Sequence, residues 1–261
     1  MTAPLRVAVI TTGAGQGSTT FAAGLGWSAA EGARTVCLLD ADPAVGTMRT
    51  LFDLDGRASL ENALGSTGIS TAALEGQALR IGARPGLRVV PGFRRWELRS
   101  SQVIARLGPA LALLPDDVVI ADIGCPFEPG DGGGPPAVVQ LAAHFDAILV
   151  VIRAQADLLE RAIRLLDGIP LTRTRLVIAR PPQRREMPAV LTLLREQLPA
   201  LAAPLEWDWD HNRVLRQGVT GVPMHRPRML EETGLTGAGE SVPVARRPGL
   251  LARLLPRRSA P

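Results

Sequence analysis

A glycine-rich turn near the amino terminus is the feature of the sequence that most directly predicts chemistry. Residues 7–20 read VAVITTGAGQGSTT, an apolar run followed by three glycines at alternate positions and a row of hydroxyl side chains. Glycines at such a turn let backbone N–H groups approach an anion without obstruction by Cβ atoms. The N-terminus of a following helix adds favourable partial charge. The turn therefore predicts a phosphate cradle.

The turn departs from the standard phosphate-loop pattern GxxxxGK[ST] at two positions. Thr19 takes the place of the hydroxyl that binds Mg²⁺, Ser18 takes the place of the lysine, and Thr12 takes the place of the first glycine. All 29 basic residues are arginine, so a cationic contact to phosphate must come from arginine or from backbone N–H groups. The candidate nucleotide-binding residues are Gly13, Ala14, Gly15, Gln16, Gly17, Ser18, Thr19 and Thr20.

Carboxylates follow two later apolar runs. Asp40 and Asp42 belong to LLDADP at residues 38–43, and Asp122 belongs to VVIADIG at residues 118–124. A charged group at the end of a buried strand is unfavourable unless it faces a cleft, a cation or a partner. We therefore expect these three side chains to lie at a functional edge of a sheet.

The elements that position these residues alternate along the chain. Short apolar runs separated by amphipathic stretches predict an α/β fold, a doubly wound and mainly parallel sheet with helices on both faces. The predicted strands are residues 7–11, 35–39, 87–90, 118–123, 147–152, 175–179 and 205–207; the predicted helices are 19–31, 101–114, 157–167, 188–198 and 212–217. Residues 46–84, with two short helical pieces, and the Gly/Pro-rich 126–136 are predicted loops. We expect one domain over residues 1–240 and a basic Pro/Arg-rich tail over 241–261.

Together these motifs resemble those of the ParA/MinD family of P-loop ATPases, in order, over residues 5–223. The resemblance implies a P-loop fold that binds ATP or ADP with Mg²⁺. It implies that Thr19 binds the metal, that Asp122 holds it through water and that Asp40 supports the metal site. In the same comparison Asp42 would orient the attacking water as the catalytic residue.

The chain also departs from that family. Gly13 stands where the family's signature lysine crosses a nucleotide-sandwich dimer, Ser18 replaces the in-loop lysine, and Arg180 and Pro181 replace a base-contacting asparagine. Loss of cations impairs phosphoryl transfer more than binding, so we expect slow hydrolysis or none. TadZ/CpaE-like and BcsQ-like proteins of this family also tolerate a small residue in place of the in-loop lysine. Residues 15–23 and 38–43 resemble the TadZ/CpaE-like branch more closely. Arg94, Arg95 and Arg153 are either substitute cations or solvated surface residues.

Two functions follow from this comparison. The first is an ATP-binding switch that positions or regulates a partner protein complex in pilus assembly, secretion, septum placement or partition, with homodimerisation and a slow Mg²⁺-dependent ATPase activity. The second is a pseudo-ATPase scaffold that binds no nucleotide. A small-molecule ligase or kinase is a weaker third reading, because no substrate-pocket signature accompanies the loop.

The rest of the sequence bears on location and on other ligands. Cys37 and Cys125 lie at apolar runs and predict no disulfide framework, and no stretch approaches the roughly 20 apolar residues that span a bilayer, so we expect a cytoplasmic protein. The leucines and arginines of the tail would allow a peripheral contact with the inner face of the membrane or docking on the core. No motif predicts nucleic-acid binding, the histidines form no zinc pattern, and Trp207 and Trp209 either stack a base or pack in the core.

Overall fold

The computed structural model describes residues 4–31, 34–44, 46–64, 69–93, 100–126, 137–166, 169–179, 187–201 and 204–207. Several predictions fall outside these ranges. They are the segment 127–136, Arg94 and Arg95, Arg180 and Pro181, Trp209, the predicted helix at 212–217 and the tail at 241–261.

Eight strands form one sheet in the described part of the chain. In chain order they are β1 (Leu5–Thr11), β2 (Val36–Asp40), β3 (Leu79–Ile81), β4 (Arg84–Val90), β5 (Val118–Gly124), β6 (Ala147–Ile152), β7 (Thr174–Ala179) and β8 (Leu205–Trp207). Their spatial order is β3-β4-β2-β5-β1-β6-β7-β8. Every neighbouring pair is parallel except β3 and β4, which are antiparallel. The predicted doubly wound, mainly parallel fold is confirmed.

Helices cover both faces of this sheet. They are α1 (Ser18–Glu31), α2 (Met48–Leu51), α3 (Leu60–Ala63), α4 (Thr71–Gln77), α5 (Ser100–Leu111), α6 (Ala137–His144), α7 (Ala156–Leu166) and α8 (Met187–Gln197), with a 3₁₀ turn at Leu171–Arg173. Side chains of α1 and α2 pack in one apolar cluster. Side chains of α3, α4, α5, α6, α7 and α8 pack in the cluster on the opposite face.

Strand residues alternate between these two clusters. In β2, Leu38 packs with α1 while Leu39 packs with the opposite cluster, and in β5 Ile120 packs with α1. Because residues two apart on a strand share a face, Asp40 and Asp122 point to the α1 side. The fold thus directs both carboxylates toward the start of the helix that follows the glycine-rich turn.

The segment predicted as a loop at 46–84 is more ordered than the sequence indicates. It contains β3, which pairs antiparallel with β4 at the edge of the sheet, and the four-residue helix α2. The prediction of a loop with only two helical pieces is wrong here. The physical reason is that a three-residue edge strand gains its hydrogen bonds from β4, a pairing that local periodicity does not reveal.

Candidate functional site: a glycine-rich loop facing three carboxylates

The glycine-rich turn joins β1 to α1 at the carboxyl end of the central strand. Gly15 and Gly17 adopt φ values of 72° and 95°, in the left-handed region that favours glycine. The N–H of Phe21 donates to the carbonyl of Gly17 at 2.9 Å, which places this loop residue directly against the first turn of α1. Ala14 and Gly15 are exposed, and a Cβ built on Gly15 would meet no atom within 4 Å. The tip of the turn is therefore open to solvent at Ala14 and Gly15.

Gln16 fastens this open loop to a neighbouring strand. Its side-chain amide nitrogen donates to the carbonyl of Ala14 at 3.2 Å, and its side-chain oxygen accepts the backbone N–H of Arg153 at 3.1 Å. Thr11 adds a further bond, because its hydroxyl donates to the carbonyl of Gly13 at 3.2 Å. Sequence reasoning placed Gln16 in the loop but missed this tether, since its partner is a backbone group just after β6.

Asp40 and Asp122 lie side by side below the start of α1. They are register partners at the ends of β2 and β5, and both are 0% exposed. Asp40 accepts the N–H of Met48 through Oδ2 at 3.0 Å, and Asp122 accepts the N–H of Gly124 through Oδ1 at 3.4 Å. The remaining oxygens, Oδ1 of Asp40 and Oδ2 of Asp122, are buried and have no hydrogen-bond partner within the described structure.

Asp42 lies beside the same group, close to Gly124 at the end of β5. The pairing of β1 with β5 shifts register so that Val9 faces Asp122 while Ile10 faces Gly124. Gly124 has φ 69°, and a Cβ placed there would lie 2.5 Å from Oδ2 of Asp42. Only a glycine allows this approach. The Asp42 carboxylate also accepts the N–H of Ala44 at 2.9 Å, which fixes the turn after β2.

Burial and mutual repulsion dominate the electrostatics of this group. Burial, assisted by the charge of Asp42, raises the pKa of Asp122 to about 7, although the Thr19 and Ser18 hydroxyls and the N–H of Gly124 act in the opposite direction. Burial raises the pKa of Asp40 well above its usual value, and the charges of Asp122 and Asp42 act in the same direction. The carboxylates therefore favour a proton or a cation.

The donor set fits a hard divalent cation such as Mg²⁺. Carboxylate and hydroxyl oxygens are the ligands that Mg²⁺ prefers, and two buried carboxylate oxygens here lack a partner. Asp122, Asp40 and the Thr19 hydroxyl are the residues that would hold it. Among the described residues no three His, Cys, Asp or Glu side chains converge at metal-binding distance, so further oxygens would have to come from hydroxyls, water or phosphate.

The structure brings together most of the residues singled out from the sequence. Gly13 through Thr20 form the turn and the first turn of α1, while Asp40, Asp42 and Asp122 lie beside it. Arg153 follows β6 next to the loop, as its bond to Gln16 shows. Trp207 is 2% exposed and packs edge-to-face on Phe21 with 5.0 Å between ring centroids, so it is a core residue.

Two further expectations concern cysteine and the membrane. Cys37 and Cys125 form no disulfide, as predicted. Burial raises the pKa of the Cys37 thiol to about 12, so this side chain behaves as an apolar core residue. Over the described ranges, none of the helices has the length and apolar character needed to cross a membrane.

Known structures share this arrangement of strands, loop and helices. A ParA family ATPase from Chlorobium tepidum superposes with a TM-score of 0.62 at 17% identity, covering 89% of this chain and 98% of that one. The chain has the fold of the ParA/MinD ATPases. The septum site-determining protein MinD of Pyrococcus horikoshii, solved with Mg-ADP, gives a TM-score of 0.55 at 15% identity and covers 82% of this chain and 86% of its own.

A third structure is the MinC:MinD cell division complex of Aquifex aeolicus, with a TM-score of 0.59 at 15% identity, 93% of this chain and 99% of that chain being covered. No protein-family model and no curated protein sequence matches the chain. The chain is therefore similar to the ParA/MinD ATPases in its fold, and its function has to be argued from the site.

Proposed function

We propose that this protein is an atypical ParA/MinD-like switch that binds ATP or ADP with Mg²⁺ and positions or regulates a partner assembly, with slow hydrolysis or none. The observation that carries the proposal is the open glycine-rich turn at the N-terminus of α1, with the Asp122 carboxylate beneath Thr19. Backbone N–H groups and a helix N-terminus recognise phosphate without any side-chain charge. Nucleotide binding therefore remains available to a loop that has no lysine.

Hydrolysis is less well supported than binding. Phosphoryl transfer depends on charge stabilisation of the transition state, and one arginine supplied there contributes roughly 10³–10⁵ in rate. In this chain Ser18 and Gly13 occupy the positions of two cations, and three carboxylates face the loop. Asp42 is the proposed residue that orients the attacking water. Turnover that is unchanged in Asp42→Ala would show that the activity has another source.

The proposed partner is a protein complex at a particular cell site. One structural neighbour is a MinD in complex with MinC, and the sequence resemblance to TadZ/CpaE-like proteins favours a pilus, secretion, septum or partition assembly. We place the protein in the cytoplasm, with the basic tail at 241–261 as a proposed peripheral contact with the membrane. A homodimer would have to form without the signature lysine, because Gly13 stands at that position.

The second candidate is a pseudo-ATPase scaffold with no nucleotide. The observation that favours it is the buried carboxylate pair, which repels a polyphosphate when it is ionised and no cation is bound. Thermal unfolding with Mg²⁺-ATP and Mg²⁺-ADP separates the two candidates. A nucleotide at about 100 times its Kd stabilises the native state by roughly 2.7 kcal/mol.

The variant compared with the wild type in this titration is Thr19→Val, because valine keeps the shape of the threonine side chain but lacks its hydroxyl. We expect the wild-type protein to shift with Mg²⁺-nucleotide and Thr19→Val to shift less. Absence of a shift in the wild type at millimolar Mg²⁺-ATP and Mg²⁺-ADP would reject the switch and leave the scaffold.

A further inference from the structure

The carboxylate pair beneath α1 has a feature that the position of the loop alone does not explain. One oxygen of each carboxylate is held by a backbone N–H, from Met48 for Asp40 and from Gly124 for Asp122. The other oxygen of each has no partner, although both side chains are 0% exposed. Buried polar atoms without partners are rare in folded proteins and call for an explanation such as an ion.

Both unpartnered oxygens belong to side chains that face the same place. Asp40 and Asp122 are register partners on adjacent parallel strands and lie on the α1 face of the sheet. Neighbouring strands are about 4.8 Å apart, so the two carboxylates can share one ligand. The hydroxyls of Thr19 and Ser18, at the start of α1, are close enough to Asp122 to lower its pKa. Two carboxylates and two hydroxyl side chains therefore lie near one another at the start of α1.

Ser18 is what distinguishes this cluster from a phosphate loop of the GxxxxGK[ST] pattern. In that pattern the residue that corresponds to Ser18 is a lysine, whose ammonium group carries positive charge. Here a short hydroxyl side chain, 7% exposed, stands at that position. A hydroxyl supplies an oxygen donor and no charge, which leaves the carboxylates uncompensated and adds a ligand suited to a hard cation.

We propose that Asp40, Asp122, Ser18 and Thr19 form a site that takes up a divalent cation before any nucleotide is present. The bound cation would supply the positive charge that a lysine at position 18 gives to other phosphate loops. The uptake of cation rests only on these residues, whereas its use in nucleotide binding rests on the proposed function.

The direct test is Mn²⁺ binding to the full chain, after treatment with a chelator and without nucleotide. Free Mn²⁺ gives an electron paramagnetic resonance signal that is lost on binding. We expect about one Mn²⁺ per chain, displaced by Mg²⁺. Asp122→Asn and Ser18→Lys should each weaken Mn²⁺ binding at least tenfold, the second because it places an ammonium group where the cation would lie. Ser18→Ala should weaken it several-fold through loss of one oxygen ligand.

Matched controls are available at sites away from the cluster. Asp117→Asn removes a carboxylate at the opposite end of β5, roughly 16 Å away along the strand. Ser28→Ala removes a buried hydroxyl from the same helix, about 15 Å from Ser18. Both should bind Mn²⁺ as the wild type does. Far-ultraviolet circular dichroism and thermal unfolding establish that each variant is folded before its binding is compared.

Absence of Mn²⁺ binding to the wild type, or equal binding by folded wild type, Asp122→Asn and Ser18→Lys, would overturn the proposal. Unchanged binding by Ser18→Ala alone would overturn the role of Ser18 as a ligand. Titration with a fluorescent nucleotide separates this outcome from the proposed function. Mn²⁺ binding with no nucleotide binding would reject the proposed nucleotide switch and support the cation site. Nucleotide binding with Mg²⁺, but no Mn²⁺ binding without nucleotide, would do the reverse.

Discussion

Replacement of Gln16 tests whether the glycine-rich loop is held in shape by its tether to β6. The Gln16 side chain donates to the carbonyl of Ala14 and accepts the N–H of Arg153, at 3.2 and 3.1 Å. It is 9% exposed. Gln16→Met removes both bonds in a side chain of similar length. Gln16→Glu keeps an acceptor for Arg153 but, when ionised, has no donor for Ala14.

The size of the effect follows from these contacts. A typical intramolecular hydrogen bond contributes about 1 kcal/mol net, and a buried group left unsatisfied costs about 1–3 kcal/mol. Ala14 is exposed, so water can replace the bond to its carbonyl, whereas Arg153 is half-buried. We therefore expect Gln16→Met to lower the free energy of unfolding by about 2 kcal/mol, and Gln16→Glu by about 1 kcal/mol. If about 1.4 kcal/mol of the Gln16→Met loss is needed to reorder the loop on binding, the nucleotide Kd rises about tenfold.

Urea unfolding and nucleotide titration measure these two quantities. Gln102→Met is the matched control, because Gln102 is exposed on α5 and surface changes usually stay within about 0.5 kcal/mol. Gln16→Met with wild-type stability and wild-type nucleotide affinity would refute the reasoning that this side chain orders the loop.

Three other changes test the surroundings of the site. Gly124→Ala should destabilise the fold by about 1–2 kcal/mol, because φ 69° disfavours a Cβ, and the added Cβ should displace Asp42. Urea unfolding measures the loss. Gly82→Ala is the control, because a Cβ on Gly82 would meet nothing within 4 Å. Arg153→Gln should raise the nucleotide Kd about tenfold or more if the Arg153 guanidinium contacts phosphate. The control Arg164→Gln, on α7, should leave the Kd unchanged. Equal nucleotide affinities of Arg153→Gln and the wild type would exclude Arg153 as the substitute cation. Burial and the charge of Arg6 lower the pKa of His144, so the unfolded chain binds the proton more readily; unfolding free energy should be highest above pH 6.5 and fall as pH drops toward the folded pKa. His144→Gln should flatten that profile in urea titrations, and an unchanged profile would assign the pH dependence to other groups.

The arrangement of strands could be predicted because its signal is local. Continuous apolar runs such as residues 147–152 give strands buried on both faces, and β6 has the predicted bounds. Asp40 and Asp122 could be grouped in advance because the carboxyl ends of parallel strands meet at one edge. In contrast, β3 depends on pairing with β4, and α6 follows a Gly/Pro-rich segment that carries no helical pattern.

The finer geometry of the site depends on contacts between residues far apart in the chain. Gln16 occupies a variable position of the phosphate-loop pattern, and its partner Arg153 lies 137 residues later. Asp42 lies close to Gly124, which is 82 residues later in the chain, and β1 and β5 shift register beside Gly124; neither feature can be predicted from residue types. Sequence patterns therefore identify the residues of this site, whereas their mutual contacts require the folded chain.

The charges of the site argue that any nucleotide binding here depends on a divalent cation. Asp40, Asp42 and Asp122 act on one another, and residue 18 contributes no positive charge. Two ionised groups of like charge 4 Å apart repel each other by about 4 kcal/mol at an effective dielectric constant of 20, and a free energy of this size corresponds to about a thousandfold in affinity. A phosphate loop with lysine offsets part of this repulsion through its own side chain, whereas this loop offers backbone N–H groups and hydroxyls but no cationic side chain. Nucleotide affinity should therefore fall far more steeply on chelation of Mg²⁺ in the wild type than in Ser18→Lys, and equal losses would show that the carboxylates do not face the phosphates.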